Sequence, residues 1–480
     1  MELRRTLSYI FGLSDHRDAL RLVGLLRRRS IYVSLKALSN HAYIVGGTGM
    51  GKSRLLRVLI EQDIAASHGL CLIDPHGDLC EALVRYLETL PPNHPSRRRA
   101  VLIDPTAPEW AVGFNPLEVP PGENVYPHVL ELITVFEKLW KDSWGARMED
   151  IMRNSFITLA EHNLTLLELP KLLTDKDFRV GLANELHSPE AKSYWLDRFE
   201  PLPARTKAEW IESTLNKVSS FISDPWIRDM VGQTHSTINL RTWMDEGTIT
   251  LVNLSKGRLK RNSDLIGALL VSKIQEAAMS RVDLPEGERR PYRLYVDEFQ
   301  NYATRSFEEI LSEARKYGLS IMMANQTLAQ LQKTLLSSVL ANCQVQVYFR
   351  CNRQDADILA RQAFRATGKQ IKFALTKDNL FSSEPRSNPV FVSVGEEMEG
   401  YVNFVLDLSP RQALLNIRGE GPPVPFRTAT APDRPASPGL TGLRSELLSR
   451  AARSRQTVRH EVDTQTTPEP ELTAEDLWET

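Results

Sequence analysis

The chain has 480 residues, more than one ordinary core and enough for roughly two to four domains. Its 59 basic and 60 acidic residues leave a net charge of −1, which excludes a whole-protein basic field of the kind that coats nucleic acid and leaves such contacts to local clusters. Cys71, Cys80, Cys343 and Cys351 lack CxxC spacing, which argues against zinc, and no apolar run reaches the roughly eighteen residues of a membrane span. These absences predict a cytoplasmic protein with reduced thiols.

Residues 1–40 read as a helical segment, with Ser14 as a cap and Ala19, Leu20, Leu22, Val23 and Leu26 along one face. Residues 41–126 alternate strand and helix: AYIV at 42–45, a glycine-rich turn, a helix from Lys52, GLCLIDP at 69–75 and AVLIDP at 100–105. From 127 to 245 the chain is rich in Leu, Trp, Glu and Lys at helical spacing, broken at Pro170, Pro201, Pro203 and Pro225, which predicts an all-helical insertion. Strands return over 246–431 as TITLVNLS, RLYVDEF, LSIMMAN and VQVYFR. The fold class is therefore α/β, a mainly parallel sheet whose two parts flank a helical insertion. Residues 432–480 turn to Pro, Ser, Thr, Arg and Glu, the composition of a tail that is disordered or folds on a partner.

GGTGMGKS follows the strand AYIV and fits the phosphate-loop pattern across Gly46, Gly47, Thr48, Gly49, Met50, Gly51, Lys52 and Ser53. Glycines let successive N–H groups curl round a phosphate, and the helix beginning near Lys52 adds its positive dipole end. Lys52 is expected at the β and γ phosphates, and Ser53 at a magnesium ion. The second acid such a site needs is in LYVDEFQN, where three apolar or aromatic positions lead into Asp297, for magnesium, and Glu298, for the attacking water. A purely structural carboxylate pair is the alternative. Asp74 and Asp104 also end LIDP strands, and Pro75 and Gly77 force a turn after the first, where His76 either faces the nucleotide or is satisfied within its own loop. Asp104 is expected to shape a turn.

In that order, GGTGMGKS, LIDPHGDL, LVNLSKGR, LYVDEFQNYAT, LSEARKYGLSIMMANQ and QVYFRCNRQDADILA resemble the HerA/FtsK superfamily of hexameric DNA-pumping ATPases, and within it the TraG/TraD-type conjugation coupling proteins and their soluble relatives. The resemblance spans roughly residues 42–427 and implies a RecA-like P-loop ATPase core using ATP and Mg2+. It implies, where spacing does not show it, that Asp74 braces the nucleotide site more than it ligates metal. It implies that Arg315 in SEAR is an arginine finger acting on a neighbouring subunit and that Gln326 in ANQ is the family's sensor glutamine, with Arg350 as a second candidate at a subunit boundary. Read without the family, Arg315 is a solvated helix charge and Gln326 a polar strand end.

SKGRLKRNS places Lys256, Arg258, Lys260 and Arg261 in an expected loop after a strand, where copies in a ring would grip DNA phosphates without reading bases; a solvated loop is the plain alternative. The resemblance implies a sequence-independent DNA partner and a homo-oligomer, a hexamer, while the insertion and tail are candidate surfaces for protein partners. The membrane helices with which coupling proteins usually begin are not seen in this sequence. Two readings compete with a DNA motor: a nucleotide-controlled assembly switch, and a pump for a protein substrate.

Overall fold

The computed structural model describes residues 19–20, 31–120, 122–304, 307–368, 371–376 and 386–466. They fall into two compact units that interleave along the chain, the first built from Met1–Ala66, Arg293–Gln300 and Leu311–Asp433, the second from Ser67–Tyr292, Asn301–Ile310 and Arg434–Thr480.

In the first unit the strand order is Val424–Arg427, Gln412–Ile417, Val345–Phe349, Ala42–Val45, Leu319–Asn325 and Tyr292–Val296, the last contributing from Arg293 on. Ala42–Val45 is parallel to both of its neighbours, whereas Gln412–Ile417 runs antiparallel beside Val345–Phe349. Ala42–Val45, Leu319–Asn325 and Val345–Phe349 are buried at every position, the signature of parallel strands covered on both faces. Register matters for the chemistry: Val45 lies opposite both Asn325 and Tyr348, so the phosphate loop and Gln326 leave the sheet at the same carboxyl edge, where α/β proteins bind ligands. The helix Lys52–Ala65 buries Leu55, Leu56, Val58, Leu59, Ile60 and Ile64. A satellite of the helices Arg353–Ala363 and Val394–Leu406 is joined by the hairpin Ile371–Thr376 with Arg386–Phe391, and the rings of Phe364 and Tyr401 stack at 4.2 Å.

In the second unit Ile249–Asn253 lies between Gly69–Asp74 and Ala100–Ile103, all parallel. From Val125 to Glu246 every described element is helical. Part of this core is the ring cluster of Tyr194, Trp195 and Phe199, and the buried Trp195 indole donates to Thr158 Oγ1 at 2.8 Å. Buried Arg179 pairs with Glu200 and donates to the carbonyls of Leu172 and Leu173 at 3.0 Å, closing the end of the preceding helix.

Two expectations are corrected. Ala19–Leu20 is not helical but pairs as a short antiparallel strand with Val33–Ser34, because local apolar spacing does not report a strand partner; Ser14, Leu22, Val23 and Leu26 lie outside the described residues. The segment expected to be a disordered tail contains the helices Leu440–Ser449 and Arg455–Thr466, and Arg453–Ser454 pairs with Trp110–Ala111. Two of its arginines reach into the unit. Arg455 is buried against Asp229 and donates to the carbonyls of Pro105 at 2.8 Å and Trp110 at 2.7 Å, and Arg450 donates to the Ala100 carbonyl at 2.7 Å. Residues 467–480 lie outside the described set.

Candidate nucleotide site

The loop 46–51 is shaped by what it must pass. A Cβ at Gly46 would stand 2.4 Å from Cβ of Phe349, so only glycine lets the loop leave its strand there. Gly51, the residue before the helix Lys52–Ala65, has φ +115, a left-handed turn that aims the helix N-terminus back at the loop. The loop is tied down at both sides: Gly47 N–H donates to the Arg350 carbonyl at 2.8 Å, and the Met50 carbonyl accepts from Arg411 N–H at 2.8 Å.

Lys52 is buried, and its Nζ donates to the carbonyls of Gly46 at 2.6 Å and Gly47 at 3.2 Å. Burial lowers its pKa, with Glu298 and Asp297 opposing the shift. Ser53 Oγ donates to Asp297 Oδ2 at 2.8 Å, and Asp297 Oδ1 accepts from Glu298 N–H at 3.0 Å. Glu298 has φ +48, a left-handed conformation rare for a residue with a side chain, at the point where the chain leaves the acid strand. Its carboxylate is gripped from two directions: Gln326 Nε2 donates to Oε1 at 2.9 Å and Gln300 Nε2 to Oε2 at 2.7 Å. Gln326 also accepts from the Thr48 hydroxyl at 3.1 Å, which closes a chain from the phosphate loop to the acid.

The structure thus brings Gly46 to Ser53, Asp297, Glu298 and Gln326 into one constellation. The hydroxyl of Ser53 and the carboxylate of Asp297 are oxygen donors of the kind Mg2+ prefers, adjacent to the loop that would present phosphates, so the residues fit that ion. Arg315 stands apart. It is exposed on a single turn of 3-10 helix, Ala314–Tyr317, and among the described residues no hydrogen bond or ion pair joins it to the loop or the acids.

The second unit holds the remaining expected residues. Asp74, expected among the nucleotide-binding residues, is buried with one oxygen accepting from His76 N–H and the other from Cys80 N–H, both at 2.9 Å; its observed work is to brace its own turn. His76 is exposed. Asp104 accepts from Thr106 N–H and hydroxyl and from Arg444 at 2.6 Å. The basic segment is a helical turn, Lys256–Leu259, rather than the expected loop. Lys256 pairs with Asp264 at 3.0 Å and Arg258 donates to Thr106 at 3.4 Å, whereas Lys260 and Arg261 are exposed without a side-chain partner among the described residues.

Two residues of the site escaped sequence reasoning. Gln300 was within reach, since an amide two positions beyond the acid can fold back on it. Arg411 carried no local signal: it meets the loop only because Gln412–Ile417 lies beside Val345–Phe349.

Two family models match the chain: "Helicase HerA, central domain" over residues 23–257 and "TraM recognition site of TraD and TraG" over 291–368, together more than half of it. No curated protein sequence matches. Among solved structures, the unbound bacterial conjugative coupling protein TrwBΔN70 aligns with TM-score 0.57 at 16% identity, covering 89% of this chain and 93% of its own. The plasmid coupling protein TrwB in complex with ADP and Mg2+ gives 0.56 at 17%, covering 85% and 89%. VirB4 of Thermoanaerobacter pseudethanolicus gives 0.53 at 14%, covering 88% and 98%. At these identities the structural likeness is one of fold, a mostly parallel sheet with helices in the RecA-like P-loop arrangement. Among the described residues no helix is long and apolar enough to cross a membrane.

Proposed function

Because the chain belongs to the HerA/FtsK-type P-loop ATPases, we propose that it is an ATP-driven motor of the coupling-protein kind that translocates DNA as a homo-oligomeric ring, a hexamer. The observation that carries the ATPase reading is the chain of hydrogen bonds from Thr48 through Gln326 to Glu298 and on to Gln300.

In this reading the loop Gly46 to Ser53, through the N–H groups not spent on tying it down, and the ammonium of Lys52 hold the phosphates of ATP. Ser53 and Asp297 would hold Mg2+, which when bound offsets negative charge on the phosphates. Glu298 accepts a proton from the attacking water, and the amides of Gln300 and Gln326 fix the direction in which its carboxylate faces. Gln326, bonded to both the loop and the acid, is placed to report the γ-phosphate to Glu298. Arg315, exposed and without a side-chain partner among the described residues, is available to the site of an adjacent subunit, where its charge would stabilise the transferring phosphoryl oxygens.

Lys260 and Arg261 are the charges most open to DNA phosphates, with Lys256 and Arg258 competing for theirs against Asp264 and Thr106. The match of residues 291–368 to a model named for TraM recognition supports a protein partner at that segment.

The test is steady-state ATP hydrolysis without DNA, with single-stranded DNA and with duplex DNA, using Lys52→Ala as the blank and Arg315→Ala beside it. Stimulation by DNA that both variants lose supports the ring motor. Turnover indifferent to DNA rejects it in favour of a nucleotide-controlled switch or a protein pump.

A further inference from the structure

Along the acid strand, Arg293, Tyr295 and Asp297 alternate with Leu294 and Val296 and so share one face. That face meets the helix Lys52–Ala65 twice. At one end Ser53 donates to Asp297 at 2.8 Å; at the other the Tyr295 hydroxyl donates to Oδ2 of Asp63 at 2.5 Å while the guanidinium of Arg293 pairs with Oδ1. Ten residues of helix from Ser53 to Asp63 span about 15 Å, and four residues of strand from Arg293 to Asp297 span about 13 Å, so the two elements lie antiparallel with both ends clamped.

Asp63 and Tyr295 are 0% exposed and Arg293 is 6% exposed. Burial alone would pull the Arg293 guanidinium down, and the charge of Asp63, Tyr295 and the hydrogen bond to Asp63 together outweigh it, leaving it raised. Burial, with Asp63 adding to it, pushes the Tyr295 phenol well up, so it remains a donor. A buried ionised pair tolerates displacement poorly, because a charge moved off its partner stays desolvated. The clamp therefore has one register. A slip of one residue in the strand would turn Asp297 to the opposite face.

Neither hydrolysis nor phosphate binding, as described above, uses Asp63, Arg293 or Tyr295. We propose that they form a positioning cluster that sets the acid strand against the phosphate-loop helix so that Asp297 meets Ser53, and hence that Asp63, ten residues from the loop, tunes the affinity of the Mg2+ site. The proposal rests on the ATPase reading.

The experiment titrates Mg2+ against the affinity of the purified protein for a fluorescent ADP analogue, for wild type, Asp63→Asn and Tyr295→Phe, with thermal melts alongside. Expected is a Mg2+ midpoint raised about tenfold in Asp63→Asn, as for loss of an outer-shell metal partner, a smaller shift the same way in Tyr295→Phe, and unchanged affinity in the absence of Mg2+. A cluster that serves the fold alone would lower the melting temperature and leave the midpoint where it was, which overturns the proposal. Should Asp63→Asn fail to fold, Tyr295→Phe, which loses one hydroxyl, decides by the same reading. Wild type that binds ADP with no response to Mg2+ would instead reject the ATPase reading itself.

Discussion

The hydroxyl of Ser53 donates to Oδ2 of Asp297 at 2.8 Å, joining the second residue of the phosphate-loop helix to the first residue beyond the acid strand. Two oxygen donors from segments 244 positions apart are thereby ready beside the phosphate loop. Ser53→Ala and Asp297→Asn should each reduce the Mg2+-dependent gain in nucleotide affinity by at least about tenfold. Affinity measured in excess chelator should stay the same, because the loop N–H groups and Lys52 are untouched. Equilibrium titration with a fluorescent nucleotide, with and without Mg2+, reads both quantities.

Glu298 is held by two amides, and the roles of acid and amides separate kinetically. Under the proposed mechanism Glu298→Gln removes the proton acceptor and should slow single-turnover hydrolysis by about 10²- to 10⁴-fold with nucleotide still bound. Gln300→Ala leaves the carboxylate with Gln326 and should cost less, on the order of tenfold, through kcat rather than nucleotide affinity. Equal losses in both variants would show that Gln300 does more than orient.

His41 gives the first unit a dependence on acid. It is buried, its Nδ1 accepts from Ile321 N–H at 3.1 Å, and burial lowers its pKa from 6.5 to about 4. Between those values the unfolded chain binds the proton and the folded chain does not, so stability is fully present above pH 6.5 and is lost as pH falls towards 4. The loss attributable to this group is roughly 3 kcal/mol. His41→Asn, which keeps an acceptor and tolerates the observed φ of +60, should flatten that part of the curve of urea-unfolding free energy against pH.

Arg455 enters the core of the second unit from the C-terminal segment and pairs there with Asp229, which also accepts from the half-exposed Arg459 at 3.1 Å. Arg455→Ala strands a buried carboxylate and several carbonyls, a change that costs about 3–5 kcal/mol when no other cation compensates. Arg459 should soften this, so the double variant with Arg459→Ala is expected to lose more than Arg455→Ala alone in chemical denaturation. A chain ending at residue 433 should be destabilised at least as much as the double variant.

The phosphate loop was legible because its determinants are contiguous: a strand, glycines where the backbone must turn or pass Phe349, then Lys52 and Ser53. Asp297 and Glu298 were legible for the same reason, as acids at the end of an apolar strand. Gln326 was reached through family likeness and position, and the structure joins it to Glu298. The C-terminal helices were illegible because composition cannot distinguish an arginine in water from one that caps carbonyls. Lys256 carries the same ambiguity in reverse, its charge having looked available until Asp264 was found 3.0 Å away.

By itself, then, the sequence determined the phosphate-loop pattern and the main strands between Ala42 and Phe349, since glycine φ preferences and apolar runs act over a few neighbouring residues. Tertiary structure alone decided which distant groups meet: Arg411 with Met50, Asp63 with Arg293 and Tyr295, Gln326 with Glu298, Arg455 with Asp229. The physical reason is that sheet register and burial set those encounters, and a charge acquires its meaning only from the partner and the dielectric that the fold places around it.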